Sequence, residues 1–245
     1  SEAKVKAEGG QISWGDAPLV INPFDEYAVE GALQQREAVS GSTVTVLCIG
    51  PESAKEALKH ALAMGADDAI LVSDPALKDL DTLGAARILA AAINKIGGVD
   101  MVIFGRQTLD SGSGLTPAQT ARALGWSMLG LAGQIKVDSG SVIVERVIEE
   151  GRQSINAKLP AIISVVQSIG EPRYPSFMGI RKASKAEIPV WSLADLGASV
   201  QEAIVTRSEL MSPPARESAV EIITGESPTE IADKLADKLI AEKVL

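Results

Sequence analysis

Thr43-Val44-Thr45-Val46-Leu47-Cys48-Ile49-Gly50-Pro51 is a β-branched, apolar run closed by Gly-Pro. It has the composition of a strand buried on both faces. Ser53 to Met64 follows, with Ala54, Ala57, Leu58, Ala61 and Leu62 at helical spacing and Gly65 placed to stop the helix. Asp68-Ala69-Ile70-Leu71-Val72-Ser73 is the next strand, and Thr82 to Ile96 the next helix, ended by Gly97-Gly98. Val99 to Phe104 is a third buried strand, closed by Gly105. Gln107 to Leu124 is a loop and then a helix, which Gly125 breaks. Short apolar strands alternating with longer helices are βαβ units, so the fold class is α/β with a parallel sheet. Ligands in such sheets bind beyond the carboxyl ends of the strands. Those ends are Gly50-Pro51, Ser73-Asp74 and the segment from Gly105 onward.

The composition narrows the function. With 46% hydrophobic but only 3% aromatic residues, the core is aliphatic. A net charge of −9, from 23 Lys+Arg against 32 Asp+Glu, excludes a general nucleic-acid binder. One cysteine, Cys48, rules out an internal disulfide, and one histidine, His60, leaves too few soft ligands for a zinc site. No run approaches the ~20 apolar residues of a membrane span, so no direct membrane insertion is expected. Ser1-Glu2-Ala3-Lys4 has neither signal-peptide nor transit-peptide character, and the expected location is the cytoplasm of a prokaryote. With no start methionine, the chain is expected to begin inside a longer gene product.

The second half changes character. Val142 to Ile148, Ser154 to Lys158 and Ala161 to Val166 read as strands joined by Gly-containing turns, an antiparallel extension of the sheet. From Ser168 to Ala198 no regular period is visible, and Arg173, Arg181, Lys182 and Lys185 cluster among glycines and prolines. Pro213-Pro214 marks another irregular stretch, and Ser227 to Val244 is an amphipathic closing helix with Pro228 in its first turn. The expected organisation is an α/β nucleotide-binding domain over 1–190, followed over 191–245 by a long C-terminal arm and closing helix that pack on a partner subunit.

Catalytic constellations are scarce. His60 lies mid-helix, Cys48 lies inside an apolar strand, and the pairs Asp67-Asp68 and Glu149-Glu150 sit at element ends where solvated acids are common. A better case is Gly105-Arg106-Gln107-Thr108-Leu109-Asp110-Ser111-Gly112-Ser113-Gly114-Leu115-Thr116-Pro117, which follows a buried strand and leads into a helix. Its glycines permit close backbone approach, and the helix start offers free N–H groups to an anion. It fits neither the P-loop nor the dinucleotide fingerprint. As a bare pattern it reads equally as a ligand loop or as a flexible turn. In Arg173 to Lys182, Phe177 and Met178 stand among prolines, glycines and cations. Either the aromatic tucks into the core, or it is an apolar anchor with a basic rim that docks an acidic partner.

Five segments, in order, resemble the β subunit of electron-transfer flavoproteins. They are Ile21-Asn22-Pro23-Phe24-Asp25 with Ala28-Val29-Glu30, Ala61-Leu62-Ala63-Met64-Gly65-Ala66-Asp67, Gly105-Arg106-Gln107 through Asp110, Lys158-Leu159-Pro160-Ala161, and Glu171-Pro172-Arg173-Tyr174. The resemblance spans essentially the whole chain. It implies an adenine nucleotide α-hydrolase-like, Rossmann-like fold and a heterodimer with an α subunit that carries the redox FAD. It also implies electron transfer between dehydrogenases and an acceptor such as a quinone oxidoreductase. Carried over by residue, a buried nucleotide would be held by Asn22, Pro23, Phe24, Asp25 and Ile49. The loop would add Gly105, Arg106, Gln107, Thr108, Leu109, Asp110, Ser111, Gly112, Ser113, Gly114, Leu115 and Thr116. A recognition loop would present Tyr174, Phe177, Met178, Ile180, Arg181 and Lys182, with Phe177 as the anchor for an acyl-CoA-type dehydrogenase.

Three departures accompany the resemblance. The family's first strand, ending in a Val-Lys-x-Val-Pro-Asp-like segment that contributes backbone to the nucleotide site, has no counterpart here. Some members carry Glu after the arginine matching Arg146, where it meets the mobile flavin domain; here Val147 stands there, and Glu149 or Glu150 would have to substitute. The loop after Asp110 is Ser-Gly-Ser-Gly, smaller than in members that hold AMP. That favours FAD over AMP in this chain, and with it an electron-bifurcating role with NADH as donor. The competing function is a nucleotide-hydrolysing or adenylating α/β enzyme using the Gly105 to Thr116 loop, and a third is a structural adaptor.

Overall fold

The computed structural model describes residues 6–8, 11–13, 20–206, 208–211 and 220–244. In chain order the elements are β1 (Lys6–Glu8), β2 (Gln11–Ser13), α1 (Pro23–Ala38), β3 (Thr45–Ile49), α2 (Lys55–Met64), β4 (Asp68–Val72), α3 (Thr82–Ile96) and β5 (Met101–Gly105). Then follow α4 (Thr116–Leu124), β6 (Ser127–Asp138), β7 (Ser141–Ile148), β8 (Gly151–Lys158), β9 (Ala161–Val165), α5 (Phe177–Ser184), β10 (Val190–Trp191), α6 (Leu193–Leu196) and α7 (Pro228–Ala241). The chain divides into two compact units, Asp16–Ser208 and Ser1–Gly15 with Glu209–Leu245. In the latter, β1 and β2 pair antiparallel, and α7 is capped by Ser227, whose side chain accepts from the Glu230 N–H.

The larger unit is an α/β protein. A three-stranded parallel sheet has the order β10-β4-β3, and a five-stranded sheet the order β5-β9-β6-β7-β8. Strands β5, β9 and β6 run parallel, while β6-β7-β8 continue as an antiparallel meander. Among the described residues β3 and β5 each end a sheet and are half-buried, whereas β9 is buried along its whole length. Helix α1 packs on β5, β9 and β6. There Ala28 joins Leu129, Ala132, Val142, Val144, Ile163, Val165 and Ile169 in one aliphatic cluster. Each such buried Leu, Ile or Val side chain stabilises by about 1.5–3 kcal/mol. Helix α2 lays Leu58, Leu62 and Ala63 against Leu71. Helix ends follow local chemistry: Asp81 accepts the Gly84 N–H at 2.7 Å to cap α3, and Gly65 ends α2 at a φ of 130°, open to glycine.

Three expectations are corrected. Ala161 to Val166 belongs to no antiparallel extension: β9 lies between β5 and β6 and is parallel to both. An unbroken apolar run buried on both faces is the mark of a central parallel strand. Strand β6 has no counterpart in the sequence reading, because Gly130 and Gly133 interrupt its pattern. Gly133 is there for closeness, since a Cβ would lie 2.6 Å from the Ser168 hydroxyl and 2.9 Å from Val147. The stretch from Ser168 to Ala198 contains α5, β10 and α6, so Phe177 to Lys182 is helical rather than a loop.

A charged joint ties the chain after β9 to α1. Glu30 is 5% exposed and accepts four bonds. Arg173 gives three of them, from Nε at 2.8 Å, Nη2 at 3.1 Å and its backbone N–H at 3.2 Å. Gln34 gives the fourth at 3.1 Å, and Arg173 Nη1 reaches Glu37 at 2.6 Å. The hydrogen bonds from Arg173 hold the Glu30 carboxyl below the usual carboxylate range. Its contribution is therefore fully present above the ordinary Glu pKa and is lost as pH falls through the depressed value. Glu30→Gln is expected to cost about 2 kcal/mol at pH 7, less than a wholly buried pair because Arg173 is one-third exposed. Melting followed against pH should show the gap to wild type closing below about pH 4. A gap constant down to pH 3 would remove the ion pair as its cause.

Candidate functional site

The end of β5 meets the start of α1. Gly105 donates its N–H to Asp25 Oδ1 at 3.0 Å, and Asn22 Nδ2 donates to Asp25 Oδ2 at 2.9 Å. The same Asn22 amide bridges to the loop, giving a bond to the Gln107 carbonyl at 2.9 Å and accepting the Leu109 N–H at 3.1 Å. There is no space between the two elements: a Cβ on Gly105 would lie 2.5 Å from the Phe24 carbonyl oxygen and 2.7 Å from Asp25 Oδ1. Burial pushes the Asp25 carboxyl up, against the opposing bonds from Asn22 and Gly105. Pro23 and Phe24 form the first turn of α1.

Beyond Gln107 the loop turns into solvent. Thr108 and Ser111 hydroxyls bond at 2.6 Å, and Gly112 N–H donates to the Thr108 carbonyl at 2.9 Å. Gly112 and Gly114 have φ of 64° and 62°, and a Cβ on Gly112 would meet nothing within 4 Å. Arg106 and residues 108–115, Leu109 and Asp110 among them, are exposed. The loop enters α4 at Thr116 with Pro117 in the first turn, so the remaining N–H groups of that turn are available to an anion. One turn in, Gln119 Oε1 is buried with no hydrogen-bond partner among the described residues. The sequence reading passed over Gln119; a polar residue in the first turn of a helix after a glycine-rich loop was the available signal.

Ile49 ends β3, and its side chain packs against the cluster of Val72, Ile88 and Ala92. Burial first, and then Asp25, push the Cys48 thiol up to about 11. A thiol so placed is almost wholly protonated at pH 8 and a poor nucleophile. Labelling with a disulfide reagent at pH 8 is expected to be at least tenfold slower in the folded protein than after denaturation. Equal rates would mean that the strand end is open.

The second set of residues lies on α5. Ser176 accepts the Gly179 N–H at 2.9 Å and starts the helix, and Arg181 and Lys182 close it, where cations suit the helix dipole. Gly179 faces α2 so closely that a Cβ would overlap the Ala63 carbonyl oxygen. Ala183 packs into the α2 cluster, and the opposite side is left outward. Phe177 is 94% exposed, Tyr174 89% and Met178 84%, so the reading in which the aromatic tucks into the core is overturned. Phe177 and Arg181 are one turn apart, on one face. Val147 is partly exposed on β7, and Glu149 and Glu150 are exposed beside the turn to β8.

A parallel sheet with a glycine-rich loop running from a strand end into a helix N-terminus is that of the nucleotide-binding α/β class. Residues 14–196 match the electron transfer flavoprotein domain family. The caffeyl-CoA reductase-Etf complex subunit CarD of Acetobacterium woodii is 34% identical, over 100% of this chain and 95% of its own length. The electron transfer flavoprotein subunit beta of Mycobacterium leprae is 37% identical over 94% and 88%, and that of Megasphaera elsdenii 32% over 100% and 95%. The chain belongs to the electron transfer flavoprotein family, as a β subunit, and its role is electron transfer. No helix among the described residues is long and apolar enough to cross a membrane.

Proposed function

We propose that this β subunit forms a heterodimer with an α subunit, holds an FAD in the cradle built from Asn22 to Asp25, Ile49 and Gly105 to Thr116, and docks an acyl-CoA-type dehydrogenase on α5. The observation that carries the reading is the joint of α1 and β5. Asn22 and Asp25 fix the root of the loop, so that its backbone N–H groups and the first turn of α4 are held ready for a diphosphate. The open space at Gly112 supports the larger nucleotide over AMP. The unpartnered Gln119 oxygen beside the loop supports a ligand donor there. An FAD held there would supply hydride-accepting and one-electron redox chemistry, with NADH as the donor.

On the docking side, Phe177, Met178 and Tyr174 supply the apolar contact, and Arg181 and Lys182 the basic rim. The relative from a caffeyl-CoA reductase-Etf complex supports a partner that acts on a CoA thioester. Residues 191–245 are assigned to the α-subunit contact. In support, α7 buries none of its residues and exposes Leu235 and Ile240, while Val220 and Ile222 before it are also exposed.

The test is nucleotide content. The chain is purified with its α partner and denatured, and released FAD and AMP are measured against protein by chromatography. Two FAD per heterodimer supports the reading and puts NADH among the donors. One FAD with one AMP overturns the FAD assignment and leaves a simple electron shuttle. Neither nucleotide overturns the cradle.

A further inference from the structure

Helix α1 grips two things at once. Its first turn holds the loop root through Asn22 and Asp25, and its third and fourth turns hold Arg173 through Glu30 and Glu37. Gln34, between them, donates to the Ile169 carbonyl at 3.3 Å, so the chain leaving β9 is fastened to α1 at Ile169 and again at Arg173. Tyr174 is the very next residue, and α5 starts three residues later. On its other side the body of α5 is packed against α2, with Gly179 in close approach to Ala63 and Ala183 buried in the α2 cluster. The Arg173 guanidinium, forked onto Glu30 and reaching Glu37 with its remaining nitrogen, fixes the chain entering α5 in direction as well as distance, as planar bidentate geometry does.

We propose that Arg173 is a positioning residue for partner docking: by locking the start of the docking segment to Glu30 and Glu37 of α1, it holds Tyr174, Phe177 and Met178 in one arrangement on the same helix that roots the nucleotide loop. The inference rests on the reading of α5 as the docking element. Pre-organised apolar anchors bind without the ordering penalty that a wandering helix would incur.

The experiment uses the complete αβ heterodimer, reduced by a purified acyl-CoA dehydrogenase. Arg173→Gln is expected to raise the KM for the flavoprotein at least tenfold, with kcat and nucleotide content within twofold of wild type. Arg173→Lys, which keeps the charge but not the fork, should restore part of the loss. Glu37→Gln, an exposed change that leaves the Glu30 bonds in place, should raise KM by two- to fourfold without lowering the melting temperature. Phe177→Ala is the reference. A raised KM in Phe177→Ala with none in Arg173→Gln overturns the positioning role and leaves the docking reading standing. No change in either overturns the docking reading, and this inference with it. Loss of nucleotide and kcat together with KM in Arg173→Gln, with Glu37→Gln unchanged, would make Arg173 a general structural residue and overturn the inference as well.

Discussion

Gly105→Ala is expected to lower the melting temperature by about 6–12 °C and to strip the nucleotide from the heterodimer. The added methyl has nowhere to go. Its nearest neighbours are the Phe24 carbonyl carbon and oxygen, both backbone, and an Asp25 oxygen already bonded to the Gly105 N–H. Overpacking of this kind costs up to about 3 kcal/mol, and relief requires α1 to move away from β5. For a chain of this size that cost gives the quoted shift in melting temperature. Moving α1 also breaks the Asn22 bridge to Gln107 and Leu109, so cradle and fold fail together. Gly112→Ala is the control: the site is open, and only the positive φ is penalised, by about 1 kcal/mol. Calorimetry with nucleotide release decides the matter. A Gly105→Ala protein that melts within 2 °C of wild type and keeps its nucleotide would show that the joint is not the root of the site.

Phe177→Ala should do the reverse, leaving the protein intact and uncoupling it from its partner. A side chain 94% exposed contributes little to folding, so the folding stability should stay within about 0.5 kcal/mol of wild type. Truncating a central apolar anchor of an interface removes about 2 kcal/mol or more of binding, roughly thirtyfold in KM for the dehydrogenase. Steady-state reduction by the dehydrogenase measures it, with nucleotide content as the internal check. An unchanged KM would shift the docking site away from α5.

The parallel core was legible because its signals are local. The helix of Thr82 to Ile96 carries its cap at Asp81 and its stop at Gly97, and the structure places both ends there. The loop root was legible in part: Gly105 and Asn22 stand at a strand end and a helix start. That they share Asp25 between them, across eighty residues of sequence, is not written in any local pattern. Strand β6 was lost because its glycines serve neighbours distant in sequence, Ser168 and Val147, and so break the alternation that marks a strand. Helix α5 was lost for a similar reason. Gly179 lowers helix propensity where it stands, and what compensates is contact with α2. Helical order there depends on tertiary packing.

The basic turn of α5 sits on a chain whose net charge is −9, and this shapes the kinetics of encounter. An acidic partner approaching from afar meets repulsion from the net charge as a whole, and close in it feels Arg181 and Lys182, whose reach is a Debye length, about 8 Å at physiological ionic strength and longer in dilute salt. Salt weakens the long-range repulsion before it reaches the short-range attraction. The association rate constant should therefore rise with ionic strength from a few millimolar, pass through a maximum, and fall again as the basic turn is screened. The usual monotonic decline of steered encounters would not be seen. The position of that maximum reports how far the cationic turn projects beyond the acidic body that carries it.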